Sequence, residues 1–192
     1  LRAMYEEAAP FIEKGFLAGT RMSMYEGIEG GLGDGANSLV PDIAAALGMM
    51  KSFGAEWVCQ TAGIPYYNPD VSRPVRKDDN RLAALERHHR LAADAKTLAP
   101  GLAVVGTGYS IYKEEFPRLA EAALAAGKVD FIGLGRQNFA DPETPRKLRE
   151  GDLSLIDWCH GCSKRGCPWL LRNGVEVGCV MYDEYYFNIR KE

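Results

Sequence analysis

The chain has 192 residues, 46% of them hydrophobic, which is enough for one domain with a substantial core. Its 23 basic and 26 acidic residues give a formal net charge of −3 and exclude the basic surface typical of nucleic-acid-binding proteins. No apolar run approaches the roughly 20 residues of a membrane helix, and the first residues, LRAMYEEAAP, do not form a signal peptide. Because residue 1 is not methionine, we expect the sequence to be a fragment or a processed piece.

The first 150 residues alternate short apolar runs with amphipathic segments, which is the pattern of β/α units. Helices are predicted at 1–15, 41–53, 80–98, 113–127 and 142–151. Strands are predicted at 18–26, 55–63, 101–110 and 129–137. Each crossover is long enough to connect parallel strands. The fold class is therefore α/β with a parallel sheet, either an open doubly wound sheet or part of a (β/α)₈ barrel.

The number of β/α units sets the expected size of the fold. A complete barrel needs about 250 residues, so four units in 150 residues amount to half of one. The pattern changes near residue 150, because residues 151–192 are rich in cysteine, tryptophan and tyrosine and contain no clear β/α unit. We therefore predict two regions, half of a barrel at 1–150 and a cysteine-rich tail at 151–192.

Four of the five cysteines are crowded into the tail with the spacing C-x2-C-x4-C-x11-C. These candidate metal ligands are Cys159, Cys162, Cys167 and Cys179. An odd count in this arrangement predicts a reducing, cytoplasmic location rather than a disulfide framework. An iron–sulfur cluster needs four converging thiolates, and this spacing can supply them. Structural zinc is the alternative, although zinc usually binds two short-spaced pairs, which Cys167 and Cys179 do not form.

Four other residues that could carry chemistry have simpler structural interpretations. Cys59 lies inside an apolar run and is expected to be a small buried hydrophobic residue. His88 and His89 lie in the polar helical stretch LERHHRLAAD, which indicates a solvated helix face. His160, within the cysteine loop, is expected to point away from the metal site.

Two glycine-bearing loops follow the third and fourth predicted strands, at Gly106-Thr107-Gly108 and at 133–136. Glycines allow backbone N–H groups to approach phosphate oxygens, and Arg136 can add a bidentate charged contact. A tight β/α turn explains each glycine equally well, but the two loops together favour a phosphate site. Arg21 lies in an apolar strand, where an arginine either snorkels at an edge or faces a charged group in a site.

The stretch 104–179 resembles the Old Yellow Enzyme family, in the iron–sulfur branch that includes 2,4-dienoyl-CoA reductase, enoate reductases and trimethylamine dehydrogenase. The matching phrases are AVVGTGYS, VDFIGLGRQNFADPE and the cysteine loop. The resemblance implies that 1–150 forms units 5–8 of a TIM barrel that binds FMN, and that the four tail cysteines bind a 4Fe-4S cluster. The implied FMN-binding residues are Arg21 at the pyrimidine edge and, at the phosphate, Gly106, Thr107, Gly108, Gly135 and Arg136.

The activity that the resemblance implies is a flavin-dependent reduction of a small-molecule substrate. Electrons pass from the cluster to FMN, and hydride passes to an activated alkene such as an enoyl or dienoyl compound, with NAD(P)H as an indirect donor. The family's proton donor belongs to barrel units that this sequence lacks, so the catalytic residue stays unidentified. We therefore expect a partner chain or a missing N-terminal half barrel. The alternatives are an electron-transfer subunit without its own catalysis and a zinc-stabilised α/β module.

Overall fold

A computed structural model describes residues 2–32, 41–64, 67, 71, 81–162 and 165–190. The strands are β1 (Gly19–Ser23), β2 (Trp57–Thr61), β3 (Ala103–Gly106) and β4 (Phe131–Ile132). The helices are α1 (Arg2–Ile12), α2 (Pro41–Ser52), α3 (Arg81–Leu98), α4 (Phe116–Ala125), α5 (Gln137–Ala140), α6 (Thr144–Glu150), α7 (Cys167–Arg172) and α8 (Glu184–Ile189), with 3-10 turns at Tyr109–Glu115 and Leu153–Leu155. Among these, no helix combines the length and apolar character needed to cross a membrane.

The strands of the described residues form one parallel sheet in the order β1-β2-β3-β4. One row of the register runs through Arg21, Cys59, Val105 and Phe131, so these side chains share a face of the sheet. Sequence order and spatial order agree because a helix follows each strand and returns the chain to the same end of the sheet. The prediction of an α/β fold with a parallel sheet is confirmed.

The two faces of the sheet differ in their burial. Val58, Gln60 and Val104 point to the face on which α3 packs, and each has no exposed surface. On the opposite face Cys59 and Val105 are half-buried, and Phe131 is 60% exposed. The hydrophobic core therefore lies between the sheet and its helices, and the other face is the less covered one.

Several predicted elements are shorter or divided in the structure. The strand predicted at 129–137 contributes only Phe131 and Ile132 to the sheet, because the chain turns away at Gly133. The helix predicted at 113–127 is a 3-10 turn followed by α4, since Lys113 has a positive φ of 48°. α4 then begins at Phe116, with Pro117 in its first turn where a proline is tolerated. The loop at 64–79 lies largely outside the described residues.

Candidate cofactor cavity and cysteine cavity

A cavity of about 370 Å³ lies at the carboxyl ends of the strands. This is the end of a parallel sheet at which ligands usually bind. Five of the six residues proposed to contact FMN line this cavity: Arg21, Thr107, Gly108, Gly135 and Arg136. The sixth, Gly106, lies at the end of β3, where a β-carbon would stand 2.5 Å from Cγ1 of Val129. Gly106 thus allows close packing beneath the cavity rather than forming its wall.

Arg21 reaches the cavity from the less covered face of β1. Its Nη2 donates to Thr61 Oγ1 at 3.0 Å, and its Nη1 lies 3.8 Å from the sulfur of Cys59. Burial raises the pKa of the Cys59 thiol, an effect that the nearby guanidinium partly offsets. Cys59 was expected to be a small buried hydrophobic residue, but it is only half-buried, because it lies on the less covered side of the sheet. Two side chains of β2 thus hold the guanidinium in place beside the cavity.

The cavity glycines have different physical roles. Gly108 has a φ of 97°, and a β-carbon there would stand 2.8 Å from Cδ2 of His88. Gly133 is also tightly placed, because a β-carbon would lie 3.0 Å from Cγ1 of Val105. At Gly135, in contrast, nothing lies within 4 Å of the position of a β-carbon. The missing side chain of Gly135 therefore leaves open space in the cavity, next to the positive charge of Arg136.

His88 also lines the cavity, which its polar neighbours in the sequence do not indicate. It is 3% exposed, so the expectation of a solvated face is wrong for this residue. Gln60 Nε2 donates to His88 Nδ1 at 3.2 Å, and Thr107 Oγ1, which donates to the carbonyl of Gln60 at 2.9 Å, lies 3.4 Å from the same nitrogen. The helical spacing of the buried residues Leu85, Ala92 and Ala95 contains the signal, because residue 88 falls on their face.

The second cavity is formed by the cysteine-rich tail and has a volume of about 20 Å³. Cys159, Cys162, Cys167 and Cys179 all line it, and all are free thiols. Burial raises the pKa of Cys167 to about 11, with Arg136 acting against this shift and the other three cysteines adding to it. Burial is also the largest cause of the raised pKa of Cys162, and the nearby Cys159 and Cys179 raise this pKa further. The fold therefore brings together four cysteines separated by up to 20 positions in the sequence.

The arrangement of these sulfur atoms is relevant to the kind of metal centre. Among the described residues, no three His, Cys, Asp or Glu side chains form a group that could hold a metal ion. Four thiolates on one zinc ion, each at about 2.3 Å, would have to lie about 3.8 Å from one another. A cluster of several iron and sulfide atoms separates its thiolates further than a single ion does. In its chemistry, the donor set of four free thiols around one cavity suits an iron–sulfur cluster and a zinc ion alike.

The two cavities are adjacent and share part of their walls. Arg136, Phe139, Cys167 and Pro168 line both of them. His160 lines the smaller cavity, and its Nε2 lies 2.9 Å from the hydroxyl of Tyr182. Ligands bound in the two cavities would therefore be separated by a few shared side chains.

Comparison with known proteins gives partial similarities to oxidoreductases. No family model matches the chain. A metal reductase of Desulforamulus reducens is 51% identical over 68 residues, which are 35% of this chain and 10% of that protein. A cinnamate reductase of Clostridium sporogenes is 37% identical over 67 residues, 35% of this chain and 10% of that protein. An NADH oxidase of Thermoanaerobacter brockii is 28% identical over 115 residues, 60% of this chain and 16% of that protein. The matched stretches thus span about a tenth to a sixth of these proteins.

Proposed function

We propose that this chain is part of an FMN- and 4Fe-4S-dependent oxidoreductase, which passes electrons from the cluster to FMN and a hydride to an activated alkene. The single observation that carries this proposal is the contact between the two cavities. A cavity at the strand ends, lined by Arg21 and Arg136, shares walls with a cavity surrounded by four free cysteines. This arrangement suits two redox groups that exchange electrons over a short distance.

The larger cavity offers suitable contacts to a phosphorylated flavin. The open space at Gly135 admits a phosphate group, and Arg136 supplies a positive charge beside it. Arg21, held by Thr61, stabilises negative charge at the other side of the cavity. When bound, the flavin supplies hydride chemistry, and charge near its ring tunes its electronics. The chain's own residues bind and orient the group and compensate its charge.

The smaller cavity would hold the cluster through four deprotonated cysteines. Cluster binding requires the thiolate form of each cysteine, so iron would have to displace the thiol protons, including those of Cys162 and Cys167, whose pKa burial raises. A cavity of about 20 Å³ has room for about one water molecule, so the cysteine loop must widen around a cluster. Glycines at 161 and 166 give this loop the backbone freedom to do so.

The relatives support the same class of reaction. The names of the three relatives described above are those of two reductases and an oxidase, one naming cinnamate and one NADH. By analogy we propose an α,β-unsaturated compound as the substrate of this protein and NAD(P)H as its indirect electron source. We also propose that the remaining barrel units cover the exposed sheet face around Phe131, either within the same polypeptide or in a partner chain.

Anaerobic reconstitution tests the cofactor content directly. The 192-residue chain is incubated with iron, sulfide and FMN, desalted, and analysed for iron, sulfide, zinc and flavin per chain. We expect about four iron and four sulfide per chain, together with bound flavin. Reduction of an enoyl acid is then measured in the longer polypeptide or complex that supplies the remaining barrel units.

The alternative outcomes distinguish the other functions. A cluster without flavin would replace the proposal with an electron-transfer subunit. One equivalent of zinc, with neither iron nor sulfide, would replace it with a zinc-stabilised α/β module. Absence of iron, zinc and flavin would contradict a cofactor role for both cavities.

A further inference from the structure

Gln137 is a fully buried polar residue next in the chain to Arg136, which lines both cavities. It is the first residue of α5, directly after Arg136, and it has no exposed surface. Its side chain does not line either cavity, so it does not belong to the set of residues that would touch a cofactor. A buried amide is costly unless its donors and its acceptor are all satisfied, and its hydrogen bonds therefore indicate what it does.

The side chain of Gln137 joins the strand-end loop to the beginning of the cysteine loop. Its Oε1 accepts a hydrogen bond from the backbone N–H of Cys159 at 3.0 Å. Its Nε2 donates to the carbonyl of Asp157 at 3.1 Å and to Thr144 Oγ1 at 2.9 Å. Both donors and the acceptor of one amide group are thus in use. Two of these three bonds hold the main chain on either side of Trp158.

Asp141 holds the same segment from the other end of α5. Its Oδ2 accepts from the backbone N–H of Asp157 at 3.1 Å and from Lys147 Nζ at 2.6 Å, and the residue is 4% exposed. Thr144 Oγ1 donates to the carbonyl of Asp141 at 2.7 Å. Trp158 itself is 6% exposed and packs edge-on against Phe116. The backbone just before the first cysteine is therefore fixed by side chains, although it belongs to no helix or strand.

We infer that Gln137 is a positioning residue for the cysteine cavity, which fixes Cys159 relative to the loop that carries Gly135 and Arg136. The inference rests on the proposed function. Cys159 is the most buried of the four cavity cysteines that the structure describes, with 8% exposure, and the bond from its backbone N–H to Gln137 fixes the point from which its side chain leaves the main chain. Hydrogen bonds that orient metal ligands contribute to affinity and to the electronic properties of the centre.

The test compares two substitutions at Gln137 in the reconstituted chain. Gln137→Leu removes all three hydrogen bonds at similar volume, and Gln137→Glu keeps an acceptor for the Cys159 N–H. The measurements are hydrogen exchange of the Cys159 amide without metal, iron retention against a chelator, and the EPR spectrum of the reduced cluster. For Gln137→Leu we expect faster exchange, iron affinity lowered about 10- to 100-fold, and shifted EPR signals. Gln137→Glu should restore part of the wild-type behaviour.

Thr144→Val is the matched control, because it removes the third bond of Gln137 and the bond to the Asp141 carbonyl, while the two bonds of Gln137 to Asp157 and Cys159 stay in place. It should lower the melting temperature, but it should change the EPR spectrum and the Cys159 exchange rate much less than Gln137→Leu does. If Gln137→Leu retains the wild-type spectrum and iron affinity, or Thr144→Val changes them equally, the positioning role is refuted. If the wild-type chain binds no iron, the proposed function fails instead, so the two failures are distinguishable. If Gln137→Leu does not fold, an unchanged spectrum in Gln137→Asn, whose shorter side chain cannot reach both segments, would refute the role.

Discussion

The imidazole of His88 lies against the place that a side chain at Gly108 would fill, where the chain turns after β3 into the larger cavity. A β-carbon at Gly108 would lie 2.8 Å from Cδ2 and 2.9 Å from Cγ of the ring. The φ of 97° disfavours any side chain at Gly108 independently of this contact. His88 and Gly108 therefore fix the shape of the cavity floor together.

The first prediction follows from this contact. Gly108→Ala should lower the free energy of unfolding by about 1–3 kcal/mol, because it combines a strained backbone with a collision. Gly135→Ala is its control, since nothing lies within 4 Å of the new methyl group. Chemical denaturation should show Gly135→Ala to be as stable as the wild type, whereas its FMN affinity should fall because the methyl group occupies the cavity. Equal stability of the two variants would contradict the assignment.

The second prediction concerns the division of the five cysteines. Serine substitution of any one of the four cavity cysteines should remove most of the bound iron, because each supplies one thiolate to the proposed cluster. Cys59→Ser should keep its iron, since Cys59 lies on the sheet beside Arg21 and not at the cysteine cavity. Iron and sulfide determination after anaerobic reconstitution distinguishes the five variants. Full iron content in any cavity variant would remove that cysteine from the ligand set.

The third prediction concerns the charge of Arg21. Arg21→Gln should lower the midpoint potential of bound flavin, because a positive charge near the ring favours its reduced form. Loss of a charged hydrogen bond worth about 1.5–3 kcal/mol corresponds to about 30–65 mV for a two-electron couple. Arg21→Lys keeps the charge and should shift the potential less, although it loses the planar geometry that reaches Thr61. A potentiometric titration in which Arg21→Gln matches the wild type would place Arg21 away from the flavin.

The fourth prediction is a pH dependence of stability through Asp130. Its pKa is lowered first by the hydrogen bond from Lys96, at 2.6 Å, and then by that from the backbone N–H of Val104, at 2.8 Å. A carboxyl group whose pKa is lower in the folded state than in the unfolded state stabilises the fold. This stabilisation is complete at pH values above the unfolded pKa of about 3.9, and it is lost as the pH falls through the folded pKa. Asp130→Asn should therefore show a smaller decrease in stability below about pH 4 than the wild type.

The exposed ion pair of Glu115 and Arg118 provides the comparison for this experiment. Both side chains are largely exposed, at 61% and 75%, so their contact should contribute little to stability. Glu115→Gln should follow the wild-type curve of unfolding free energy against pH. An acid transition in Asp130→Asn that coincides with the wild type would show that other carboxyl groups control it.

The α/β fold could be predicted from the sequence because buried parallel strands read as continuous apolar runs. AEWVCQTAG and GLAVVGTGYS contain β2 and β3, whose central valines Val58 and Val104 are fully buried. The end of β4 could not be predicted as well. The glycines that follow β4 are also compatible with an apolar strand that continues, and only the structure shows that the chain turns there. Local sequence does not contain that information, since β4 ends where its pairing with β3 ends.

The candidate site was predictable only where residue type and spacing carry chemistry. Arginine and glycine at strand ends indicated the larger cavity, and the cysteine spacing indicated the smaller one. His88 was missed because its neighbours His89 and Arg90 gave the helix a polar appearance. Gln137 was missed because its role depends on Asp157 and Cys159, which approach it only after the tail has folded back.

The brevity of β4 has a consequence for how the protein would respond to a ligand. Only Phe131 and Ile132 pair with β3, with one further backbone bond on each side, from Asp130 to Val104 and from Gly133 to Gly106. Segments with few backbone hydrogen bonds open most readily, and β4 leads directly into the loop that contains Gly135 and Arg136. A ligand that binds only the closed form suppresses such opening by mass action. The amides of residues 131–135 should therefore become the most strongly protected on binding and report occupancy of the cavity.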